Sequence, residues 1–232
     1  MQTHKFVLHL ATRRTALAAV AVTAVALLAA CAGMGTGGKS GMGFFVTSTG
    51  SGQGGNLGGL AGADAHCQKL ASAVGAGARK WRAYLSAQPA GSQVAVNARD
   101  RIGNGPWTNA KGELIAANVA ALHDGNNNLN KQTALTEAGA GVNGRGDNPN
   151  MHDVLTGSQP NGSFIAGDVN STCANWTQNL GGAAMVGHHD KTGLDESVPA
   201  KSWNSSHQSR GCSPDQLKAS GGAGLFYCFA AD

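Results

Sequence analysis

Leu60-Ala61-Gly62-Ala63-Asp64-Ala65-His66-Cys67-Gln68-Lys69-Leu70-Ala71-Ser72-Ala73-Val74 carries apolar side chains at Leu60, Ala63, Cys67, Leu70, Ala71 and Val74. That i, i+3, i+4, i+7 spacing predicts a helix with one apolar face, ended by Gly75. Cys67 lies on the buried face, where a disulfide to the core is natural. Just upstream, residues 50–59 are a glycine-rich loop. The loop lacks a following Gly-Lys-Ser/Thr and is no phosphate cradle. Before it, Phe44-Phe45-Val46-Thr47-Ser48 reads as the first strand. Beyond the helix, Trp81 to Ser86 alternates like a half-buried strand. Glu113 to Ala116, Ala183 to Val186 and the closing Leu225 to Ala230 are further short strands. Residues 117–170, rich in Asn, Gly, Asp and Thr, read mostly as loop, and a loop region this long is usually functional or disordered.

The N-terminus reads as an export signal. Lys5, Arg13 and Arg14 precede an uncharged stretch from Thr15 to Ala30, and no acidic residue occurs before Asp64. The stretch is short for a bilayer span, which takes roughly 20 apolar residues, but suits a signal-peptide core. It ends in Leu28-Ala29-Ala30-Cys31, which resembles a bacterial lipobox with Cys31 as the lipidated residue. The expected organisation is a signal peptide at 1–30, lipidated Cys31 with a glycine-rich tether to 43, and a domain at 44–232. Ala32 after the cysteine favours the outer membrane, by resemblance to lipoprotein sorting.

Composition narrows the function. Three of the 17 basic residues lie in the signal, leaving 14 against 13 acidic ones, which is no electrostatic footprint for nucleic acid. All 35 glycines follow Cys31. Glycine and asparagine tolerate positive φ, so a loop-rich domain with few helices is expected. Cys67, Cys173, Cys212 and Cys228 make an even number in an exported chain. Two disulfides are expected, with three connectivities open.

A set of segments then carries a resemblance. They are Asn56-Leu57-Gly58-Gly59-Leu60 with the Cys67 helix, Cys173-x-Asn175-Trp176-Thr177, Gly187-His188-His189-Asp190, Ser202-Trp203-Asn204-Ser205-Ser206-His207, Gly211-Cys212-Ser213 and Gly221-Gly222-x-Gly224-Leu225-Phe226-Tyr227-Cys228. Together they resemble bacterial envelope proteins with a C-type-lectin-like domain of the endostatin-like variant. The resemblance implies an α+β fold with two helices, small antiparallel sheets and a long functional loop. It also implies the pairing Cys67–Cys228 and Cys173–Cys212.

Fold resemblance does not carry activity with it. Calcium-dependent lectins hold Ca²⁺ through side-chain oxygens of two motifs. Gln159-Pro160-Asn161 matches the first by residue type, and Trp203-Asn204-Ser205 has Ser where the second needs an acid. Asp147 and Asp153, in the oxygen-rich run 143–153, are candidate calcium ligands. For zinc, His189, His207 and a carboxylate are candidates; endostatin-type domains bind zinc, but their ligands do not map onto these positions. Trp107, Trp176 and Trp203 are candidates either for stacking on a sugar ring or for the core. Ser206-His207 and Asp190 are triad residue types without a nucleophile elbow. The reading is a non-catalytic, membrane-anchored module recognising a glycan or another envelope polymer. The alternative is a disulfide-rigid adhesion domain that binds a protein.

Overall fold

The computed structural model describes residues 1–2, 41–167 and 169–232; Cys31, the signal and most of the tether lie outside the described residues. The element order is β1 (Phe44–Val46), α1 (Gly59–Ala73), β2 (Trp81–Ala83), β3 (Trp107–Thr108), β4 (Leu114–Ala116), α2 (Val119–His123), β5 (Asp153–Leu155), α3 (Cys173–Trp176), β6 (Met185–His188), β7 (His207–Gln208), α4 (Pro214–Ser220) and β8 (Gly222–Ala230). The fold is α+β. Among the described residues no helix is long and apolar enough to cross a membrane.

Helix α1 buries Ala63, Asp64, Cys67 and Ala71. The buried acid is paired: its carboxylate accepts the Ala83 backbone N–H at 2.9 Å and meets the guanidiniums of Arg82 and Arg101 at 2.6 and 2.8 Å. These contacts tie α1 to β2, so a charge on the inner face is compensated rather than stranded. Cys67 bonds Cys228, and Cys173 bonds Cys212. This is the pairing the resemblance implied.

Strand β8 organises the main sheet. Its second half lies between β1 and β2, both antiparallel to it, while its first half runs parallel to β5. β6 then pairs β5, and β7 pairs β6, both antiparallel. β3 and β4 form a separate two-stranded sheet. Phe44, Phe45, Trp81, Tyr84, Trp107, Tyr227 and Phe229 fill the core around β8, all fully buried.

Several elements depart from the expectations. Met42 and Gly43, placed in the tether, are buried: Gly43 N–H donates to Thr108 and its carbonyl accepts from Ala230. Strand β5 lies inside the 117–170 region read mostly as loop. Among the described residues there are four α-helical segments, where two were expected. Helix α4 starts at a capping box, with Ser213 Oγ accepting from Gln216 N–H and Gln216 reaching back. α3 is unusual: Cys173, Ala174, Asn175 and Trp176 all have φ between 47° and 67°. Left-handed backbone costs non-glycine residues about 1–2 kcal/mol each. Here it is held by the Cys173–Cys212 bond, by the buried Trp176 ring, and by Asn175, whose amide brackets the backbone of Gln88.

Candidate metal centre

The ends of three adjacent strands converge on one carboxylate. Asp153 opens β5 and stands directly opposite His188, the last residue of β6. His207 opens β7 opposite Val186, two residues from His188 on the same face of β6. His152 precedes β5, where the pairing with β8 breaks register between Asp153 and Val154. His152 lies outside the strand, so strand alternation does not fix its direction, and its ring stands beside Asp153.

The geometry is close and one-sided. Asp153 Oδ1 lies 3.2 Å from His152 Nε2, 3.3 Å from His188 Nε2 and 3.5 Å from His207 Nε2. His152 and His188 stack with ring centroids 4.1 Å apart. The ligand atoms of His152, Asp153 and His188 all fall within 4.8 Å of one another, and all three residues are buried. Ligand atoms in tetrahedral zinc sites, each about 2.0–2.1 Å from the ion, stand about 3.3–3.4 Å apart. The spacing around Asp153 matches that edge length.

Proton placement sharpens the point. His188 Nδ1 lies 2.7 Å from the Ala200 carbonyl and His207 Nδ1 lies 3.0 Å from the Gln208 carbonyl. A carbonyl only accepts, so both rings carry a proton on Nδ1, and in the neutral form each turns a bare Nε2 toward Asp153. His152 Nδ1 lies 3.4 Å from Asp190 Oδ1 but makes no hydrogen bond of acceptable geometry. Asp153 Oδ1, Asp153 Oδ2 and His188 Nε2 are buried with no hydrogen bond of acceptable geometry. Leaving such atoms buried and unpaired is costly. A divalent cation between the neutral imidazoles and Asp153 would satisfy them by coordination, with the Nδ1–H groups of His188 and His207 oriented by backbone carbonyls.

Burial raises the Asp153 carboxyl, but the facing His188 and His207 outweigh it and hold it below the usual carboxylate range. The same contact raises His207. Asp190, behind His152, is likewise raised by burial and more strongly lowered by His152 and by the N–H groups of Arg145 and Thr192. Two glycines make the approach feasible. A side chain at Gly187 would place Cβ 1.8 Å from the Trp203 carbonyl, and at Gly221, where φ is 114°, it would crowd His152.

The histidines open onto a cleft of about 550 Å³. Its walls include Arg145, Asn150, Asp195, Ser206, His207 and Arg210. His207 is the most exposed of the cluster, with a side chain 41% accessible, and its Nε2 stands outside the mutually close trio. A cation held by the trio would lie next to His207 at the cleft.

The expected site residues fall in different places. His207 and Asp153 belong to the centre, whereas Asp153 had been placed in a calcium loop. His189 does not belong: its Nε2 contacts the Asn143 carbonyl and the ring is fully buried. Asp147 pairs with Lys131 at 2.6 Å, away from Asp153. Gln159-Pro160-Asn161 and Asn204 do meet, but as a structural joint. Asn204 Nδ2 donates to Tyr84 Oη and to the carbonyls of Gln159 and Pro160, and Asn161 Oδ1 accepts from Ser163. Their oxygens do not converge on a calcium position. Trp107, Trp176 and Trp203 are all buried, with indole N–H groups of Trp107 and Trp176 bonded to backbone carbonyls. They form core rather than a sugar platform. Ser206 Oγ contacts His188 rather than His207, so no triad forms. His152 and His188 were the missing ligands. Their signal lay in the His152-Asp153 and His188-His189-Asp190 runs, but only the register of β5 against β6 selects among those residues.

Compared with known proteins, the chain matches no family model and no curated sequence.

Proposed function

We propose that this protein is an exported, lipid-anchored binding module whose ligand site is built on a zinc ion. His152, Asp153 and His188 hold the ion, and His207 flanks its cleft-facing position. One observation carries the reading: three imidazole Nε2 atoms surround a single buried carboxylate oxygen at 3.2–3.5 Å. Imidazole with carboxylate suits zinc better than the hard cations, which take oxygen. The lipobox at Cys31 supports attachment to the outer membrane, and both disulfides suit an oxidising compartment. The disulfide pairing and the long β8 also support a C-type-lectin-like domain of the endostatin-like variant.

Metal content after dialysis tests the reading. The wild type retains about one zinc per chain and His152→Ala/His188→Ala retains none; equal retention by the two sinks it. A second reading, metal-assisted hydrolysis, is favoured by the trio's place at the cleft, since zinc enzymes keep a reactive water beside three protein ligands. Zinc-dependent turnover of p-nitrophenyl acetate or bis-p-nitrophenyl phosphate, lost in His207→Gln, would select it.

A further inference from the structure

We infer that the cleft takes an oxyanion, a carboxylate or phosphate group, which coordinates the metal at its cleft-facing position and is gripped by Arg145 and Arg210. The inference rests on the zinc reading above and adds the chemical class of the ligand. Both arginines line the cleft that His152, His188 and His207 open onto. Both are exposed, and neither guanidinium takes part in an ion pair among the described residues. Arg145 is held close through its backbone, whose N–H donates to Asp190 Oδ2 at 2.6 Å, while Asp190 Oδ1 backs His152 at 3.4 Å. Arg210 follows β7 by two residues, and its backbone N–H is tied to Ser220 Oγ at 2.7 Å. The chain is therefore anchored at both arginines while their side chains stay free for a ligand.

Charge points the same way. Among the described residues Asp195 is the one carboxylate on the cleft wall, and it is already engaged by the Ser197 N–H. A bound dication and two guanidiniums outweigh it. Guanidinium forks match carboxylate and phosphate oxygens, and a zinc ion with an open position takes an oxygen donor. A neutral sugar offers neither the charge nor the planar oxygen pair. An acidic glycan, a phosphorylated polymer or free phosphate shares the chemistry.

The test uses cobalt(II) as a visible probe of coordination. The cobalt-loaded protein is titrated separately with inorganic phosphate and with galacturonate, and its absorption bands are followed. The inference predicts a saturable spectral change, at least about tenfold weaker in Arg145→Gln or Arg210→Gln and unchanged in Arg99→Gln, a residue that bonds the Asn161 carbonyl and does not line the cleft. The anion that saturates at lower concentration identifies phosphate or carboxylate as the source. Bands insensitive to both anions, or equal responses in wild type and both arginine variants, would overturn the inference and leave the metal reading intact. Failure to bind cobalt or zinc at all would overturn both.

Discussion

His188 Nε2 and Asp153 Oδ1 face each other at 3.3 Å across the β5–β6 ladder. The proposed zinc ion would be ligated by both. His188→Ala should therefore lower zinc affinity by more than the about 10–100-fold that changes to merely orienting groups cost. Asp190→Asn, which weakens the orientation of His152, should fall within that 10–100-fold range. Competitive titration against a zinc-binding dye measures both; equal, small effects would contradict the assignment.

His189→Gln provides the contrast. Its Nε2 is directed at the Asn143 carbonyl rather than the centre. Zinc affinity in that variant should stay within about twofold of wild type, though stability falls because the ring is buried. A loss as large as that of His188→Ala would place His189 among the ligands.

How far the site could be read from the sequence follows from where its information resides. The Cys67 helix was legible because its apolar period is local, and the β8 terminus because it is an apolar run. Two centre residues, Asp153 and His207, are candidate ligands in the sequence, but Asp153 is grouped there with Asp147 and His207 with His189. The error is one of register. A three-residue strand such as β5 has too few positions to show alternation, and His188 and His189 differ only in the face they occupy. The calcium reading failed for a related reason. Residue type brought Asn204 and Gln159 to notice, but only tertiary structure shows Asn204 Nδ2 spent on backbone carbonyls.

Calcium should accordingly leave the protein unchanged. Millimolar Ca²⁺ added to the zinc-loaded protein should not move the thermal midpoint. A calcium-specific rise that Asn161→Ala abolishes would restore the site at Gln159-Pro160-Asn161.

The two disulfides should contribute unequally. Cys67–Cys228 closes 161 residues and Cys173–Cys212 closes 39. Chain-entropy scaling gives about 5 and about 4 kcal/mol, respectively. Replacing Cys67 and Cys228 with Ala should cost more in denaturant unfolding than replacing Cys173 and Cys212. The reverse order would mean that the left-handed turn at Cys173 depends on its bond beyond loop closure.

His123 should make stability pH-dependent. Burial pushes its imidazole below the ordinary value, and the ring stays neutral between the Tyr84 hydroxyl at 2.7 Å and the Val119 carbonyl. Its folded pKa is depressed, so the unfolded chain takes up the proton first. The stability it contributes is complete above the unfolded value of about 6.5 and is lost as pH falls through the folded value. In EDTA, the wild-type midpoint should drop more steeply than that of His123→Gln between about pH 7.5 and pH 5. Parallel curves would contradict this.

The most direct test of the central claim is thermal unfolding of the purified protein with EDTA and with zinc. At about 100 times its dissociation constant, zinc adds about 2.7 kcal/mol, which for a chain of this size raises the midpoint by about 5–10 °C. The account predicts that rise in wild type and its absence in His152→Ala/His188→Ala. No rise in wild type, or the same rise in both proteins, would contradict it.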